Sequence, residues 1–113
     1  MQAVADAIAA SHGPVEVLGD STFARQLRVR LGAGAVAIGV RPAVVVETSG
    51  DATSLGAALE RVADLGTVVL ASPGGARDPL ESTAALDLYA DLHVRGLTIV
   101  GVPPPCGTEM PAP

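Results

Sequence analysis

The stretch Ala43-Val44-Val45-Val46-Glu47 constrains this chain more than any other. Three successive valines with no polar alternation read as a strand buried on both faces, the environment of a parallel sheet covered by helices on either side. The rest of the chain supplies matching pieces. Val15-Glu16-Val17-Leu18, Thr67-Val68-Val69-Leu70 and Leu97-Thr98-Ile99-Val100-Gly101 are further short apolar strands. Strands that alternate with helices predict an α/β domain, three layers deep, with a mainly parallel sheet of four or five strands.

Helical patterns fill the gaps. Residues 3–10 have helical character, and Gly13-Pro14 stops them. Thr22 to Leu31 places Phe23, Leu27 and Leu31 on one face and Arg25, Arg28 and Arg30 elsewhere, with Gly32 as the stop signal. Thr53 to Leu65 carries a stripe of Leu55, Leu59 and Val62, and Gly66 closes it. A short helix is expected near Leu86–Leu92. Ala35 to Val40 is weaker. Only Gly39-Val40-Arg41-Pro42 links it to Ala43, too short a connection for a parallel crossover, so it reads as an irregular or edge segment. The expected organisation is one domain over residues 1–102 and a Pro-rich mobile tail over 103–113.

Composition narrows the classes of function. The chain has 113 residues and two aromatics, Phe23 and Tyr89, so its core must be aliphatic. Net charge is −5, which argues against nucleic acid and anionic membranes as partners. No apolar run reaches the ~18 residues of a membrane span, and the first residues do not read as a signal peptide. A cytoplasmic protein is expected. One cysteine, Cys106, excludes an intrachain disulfide and a four-cysteine zinc site, and no metal site is expected.

Three stretches in order carry a family resemblance: residues 15–31, VEVLGDSTFARQLRVRL; residues 42–72, PAVVVETSGDATSLGAALERVADLGTVVLAS; and residues 86–102, LDLYADLHVRGLTIVGV. Together they resemble the coenzyme-binding, Rossmann-like domain of the zinc-dependent medium-chain alcohol dehydrogenases. The resemblance implies an oxidoreductase-related, NAD(P)-binding type of domain. It also implies a shortened one, without the family's zinc-binding catalytic half and therefore not an independent zinc alcohol dehydrogenase. The family's three glycine positions fall on Gly19, Ser21 and Ala24. Ser21 puts a side chain where a pyrophosphate would press, and Asp20 adds negative charge beside it. The ribose-binding acid has no counterpart, and Arg41 is a lone candidate for a 2′-phosphate. Any affinity for NAD(P) is therefore expected to be low.

By the same resemblance, the candidate cofactor-binding residues are Gly19, Asp20, Ser21 and Thr22, Thr48 and Ser49, and Ser72 and Pro73. All follow carboxyl ends of predicted parallel strands, where ligands bind in such sheets. Each group also reads as a plain turn, with Asp20 or Ser21 as a helix cap. Glu47, at a buried strand end, needs hydrogen-bond partners such as a helix N-terminus; without them it would be a candidate base. Asp87, Tyr89, Asp91 and His93 read as a solvated helix face rather than a metal cluster. The expected partners are a second copy, paired through Leu97–Gly101 as the resemblance implies, and a small molecule. The alternative function is a degenerate domain recruited as a cofactor-independent enzyme or as a binding or dimerising accessory protein, in a biosynthetic pathway for instance.

Overall fold

A computed structural model describes residues 14–32, 39–73 and 87–102. The helix expected over 3–10, most of the weak segment 35–40, Gly74-Gly75 and the tail 103–113 lie outside the described residues. Of that weak segment, Gly39 and Val40 are described and are not in a strand.

The described elements run β1 (Val15–Leu18), α1 (Thr22–Leu31), β2 (Val44–Glu47), α2 (Ala52–Arg61), β3 (Thr67–Leu70), a π-helical segment (Leu88–Val94) and β4 (Thr98–Gly101). The four strands form one sheet in the order β1-β2-β3-β4, and every pair is parallel. Val17 pairs with Val46, Val46 with Val69, and Val69 with Val100, so side chains of one parity line one face.

Each face has its own aliphatic core. Val17, Val44, Val46 and Val69 pack with Ala24 and Leu27 of α1, and Phe23 and Leu31 flank them. Val45 and Val68 pack with Ala58, Leu59 and Val62 from α2 and its C-cap, joined by Leu97. All four residues of β2 are buried, as its unbroken valine run requires. The result is three layers, with α1 on one side and α2 on the other.

That placement has a topological consequence. The steps from β1 to β2 and from β2 to β3 move the same way across the sheet. Their helices lie on opposite faces. The two connections are therefore of opposite hand, although parallel crossovers are almost always right-handed.

Two helix boundaries differ from the sequence pattern. The helix expected over Thr53–Leu65 ends at Arg61, because Val62 turns extended (φ −66°, ψ 143°) and buries its side chain in the core. Arg95 then donates to the carbonyls of Leu59 and Val62 (both 2.5 Å), and Arg41 donates to Val62 (3.2 Å), so guanidiniums take over the helix-end acceptors. The short helix near Leu86–Leu92 is π-helical over Leu88–Val94; the Asp87 side chain caps it by accepting from Tyr89 N and Ala90 N.

Candidate functional site

The loops after β1 and β2 leave toward opposite faces of the sheet, one into α1 and one into α2. Between them, outside the strand carboxyl ends, lies a switch of covering face like the one at which ligands bind in open α/β sheets, although here the strand order does not reverse. Of the candidate residues, Gly19, Asp20, Ser21 and Thr22 stand on the β1 side of it, and Thr48 and Ser49 on the β2 side. Ser72 and Pro73 follow β3, one strand further over.

Gly19 and Thr48 close the space between the two loops. Gly19 has φ +122°, a conformation that side-chain-bearing residues rarely adopt. A Cβ on it would collide with Thr48 Oγ1 and would stand 3.4 Å from Ser49 Oγ. The Thr48 hydroxyl donates to Leu18 O at 2.7 Å, and Thr48 is buried. The chain's own threonine thus fills the approach that the glycine leaves open.

The β1–α1 turn is held mainly by its carbonyl oxygens. Arg28, on α1, reaches back to donate to Val17 O (2.8 Å) and to Gly19 O. Arg25 donates to the main-chain oxygen of Asp20 through Nη2 (2.8 Å) and Nε (3.2 Å). Ser21 is the N-cap of α1, and its Oγ accepts from Ala24 N at 3.1 Å. Ser21 is thus the helix cap. Ala24, at the third glycine position, is fully buried against the sheet, where only a small side chain permits such close approach.

The β2–α2 turn is held by its N–H groups. Glu47, 3% exposed, turns its carboxylate back so that Oε1 accepts from Ser49 N (2.5 Å) and Gly50 N (2.9 Å). Gly50 has φ +76°, the left-handed region that glycine adopts readily, and turns the chain toward α2. Asp51 caps α2 by accepting from Ser54 N at 2.8 Å. A turn able to cradle an external anion already holds the chain's own carboxylate. Glu47 thus finds its partners in the turn before α2, not in the first turn of the helix itself.

Other candidates sit elsewhere. Arg41 precedes β2, at the amino end of the parallel sheet, and bonds to Val62 O. A 2′-phosphate bound at the carboxyl end lies a strand length away, roughly 13 Å for four residues, so Arg41 does not serve that site. Tyr89 and His93 meet edge to face with ring centroids 6.3 Å apart and are exposed. Asp91 accepts from Asp87 N at 3.0 Å and lies 4.0 Å from Arg95. Among the described residues, no group of three or more His, Cys, Asp or Glu is placed to hold a metal ion, and no helix is long and apolar enough to cross a membrane. The roles of Arg25 and Arg28 had no signal in the sequence, because their acceptors are main-chain oxygens brought close only by folding.

Comparison with protein-family models, with curated proteins and with solved structures yields no match for this chain.

Proposed function

We propose that this chain is a trimmed relative of the coenzyme domain of the zinc-dependent medium-chain dehydrogenases, and that its switch-point crevice takes a small molecule with little remaining affinity for a dinucleotide. The divergence of α1 and α2 to opposite faces between adjacent strands β1 and β2 carries the reading. A full doubly wound sheet has the strand order 3-2-1-4-5-6, with helix 1 and helix 4 on opposite faces. Removing strands 2 and 3 with their helices leaves 1-4-5-6. Numbered afresh, that is a sequential parallel sheet whose first two connections differ in hand, the arrangement described above. Independent evolution of a four-stranded sheet has no reason to include the rare hand.

The closed approach at Gly19 and Thr48, the capping Ser21 and the exposed acid Asp20 support weak dinucleotide binding. The same features favour a recruited binding or catalytic role without cofactor over a working NAD(P) site. Calorimetric titration with NAD(H) and NADP(H) tests this. The expected dissociation constant is on the order of 1 mM, roughly 4 kcal/mol of binding; micromolar binding would overturn it.

Association of two copies through β4 belongs to the same reading. Among the described residues β4 is an edge strand, with Ile99 and Val100 half-buried; Leu97 just before it is already inside the core. An edge strand offers unpaired N–H and C=O groups to a second chain. The expected state is a homodimer. Ile99→Pro removes a strand donor and is expected to yield monomer or aggregate. Light scattering that finds the wild type monomeric at tens of micromolar, or the variant a stable dimer, would refute strand pairing.

A further inference from the structure

The amino end of the sheet holds an open cavity of about 660 Å³, lined by Arg41, Glu60, Asp64 and Arg95. Three segments bring these residues together: the approach to β2, the end of α2 with the turn after it, and the turn before β4. The four groups are not equally occupied. Arg95 is spent on Leu59 O, Val62 O and Asp64 Oδ1. Arg41 donates only to Val62 O, through Nη1 at 3.2 Å. That oxygen already has a closer donor in Arg95, at 2.5 Å, so closing the end of α2 does not account for Arg41. Nε and Nη2 of Arg41 donate to no described residue, and no described carboxylate pairs with it. Two guanidiniums thus converge on one oxygen, and only Arg95 has a carboxylate to balance it. Glu60 is exposed and likewise has no partner among the described residues. An unpaired cation and an unpaired anion line one cavity without closing on each other.

The chemistry of a ligand follows from that lining. A multiply charged anion would meet the carboxylates of Glu60 and Asp64, and a simple cation would meet two guanidiniums. A molecule with one carboxylate and one ammonium satisfies both unpaired groups. The unused Nε and Nη2 of Arg41 form the planar fork that holds a carboxylate by two parallel bonds. The same fork on Arg61 already holds both oxygens of Glu16, at 2.7 and 2.6 Å. The free Glu60 carboxylate is an acceptor for the ammonium. We propose that this cavity binds a small amino acid, its carboxylate on Arg41 and its ammonium on Glu60. The site lies at the opposite end of the strands from the crevice beside Gly19 and does not depend on it.

NMR titration of the full chain tests it, read on the Arg41 Nε–H signal and the Glu60 backbone amide. The probes are glycine, β-alanine and 4-aminobutyrate, which separate the two charges by increasing spans, against acetate, methylammonium and inorganic phosphate at equal ionic strength. The best of the three amino acids is expected to bind more tightly than acetate or methylammonium by at least roughly fivefold, about 1 kcal/mol. Glu60→Gln is expected to weaken amino-acid binding by at least that factor and to leave acetate binding within about twofold. Arg41→Gln is expected to weaken both by at least that factor, with Val62 O still held by Arg95. An advantage of the best amino acid below that factor would overturn the proposal, as would equal losses of amino acid and acetate in Glu60→Gln. Phosphate binding tighter than any amino acid would make this an anion site and refute the zwitterion. No saturable shift from any probe would refute the site itself. If Arg41→Gln fails to fold, the probe series and Glu60→Gln still decide, since Glu60 has no described partner to lose.

Discussion

The two loops at the switch point solve opposite problems. At the β1–α1 turn the exposed need is for donors, and two arginines from α1 supply them to the oxygens of Val17, Gly19 and Asp20. At the β2–α2 turn the need is for an acceptor, and Glu47 supplies it to two amides. The first loop is tied from the helix that follows it, along a partly exposed surface. The second is tied from the strand that precedes it, in the interior. At the β2–α2 turn the amides of Ser49 and Gly50 are engaged by the chain's own carboxylate, and at the β1–α1 turn the amide of Ala24 is engaged by Ser21.

The contrast is broken most severely at the point where the loops touch. Gly19→Val would force a branched side chain into the left-handed backbone region and against the Thr48 hydroxyl. Backbone strain and overpacking together are expected to cost about 3 kcal/mol or more. Urea denaturation would measure it, and a loss under 1 kcal/mol would mean that the two loops part easily. The next effect belongs to the interior turn. Glu47→Ala leaves the partly buried amides of Ser49 and Gly50 without their acceptor, at an expected cost of about 2 kcal/mol. Hydrogen exchange at these two amides should accelerate by more than the global change explains, while exchange along α1 should follow global stability alone. The smallest effect belongs to the exposed turn. Ser21→Ala removes the α1 cap, at an expected cost of about 1 kcal/mol, and Ser21→Gly costs only a few tenths. If thermal denaturation instead ranks Ser21→Ala above Glu47→Ala, the two turns do not differ as their burial implies.

Much of the fold was legible in the sequence because it is written in local pattern. The valine run at 44–46 specified a doubly covered strand, and β2 is buried throughout. The spacing of Phe23, Leu27 and Leu31 gave α1 its bounds and its inward face. The end of α2 was less legible. Periodicity continues to Leu65, and nothing local says that Val62 will turn extended to reach the core while Arg95, 33 residues further on, takes its carbonyl. The candidate site was half legible. Strand-end positions put Gly19 to Thr22, Thr48-Ser49 and Ser72-Pro73 at carboxyl ends of strands; that the first two groups face each other follows from β1 lying beside β2. The sequence did not tell that Thr48 would fill the space between them, since that depends on β1 and β2 being neighbours in a register that sets Leu18 beside Glu47.

The sequence by itself determined the list of elements, their buried faces and the glycine that begins the first turn, because periodicity, capping side chains and left-handed backbone act over a few residues. Only the tertiary structure decided that β1 lies directly against β2, that α1 and α2 part to opposite faces, and which oxygens Arg28, Thr48 and Glu47 engage. Those outcomes rest on contacts between segments far apart in the chain. Several arrangements of the same strands would bury the same valines equally well, so burial alone leaves the choice among them open. Strand order and hand settle it by fixing which polar groups meet at the sheet edge.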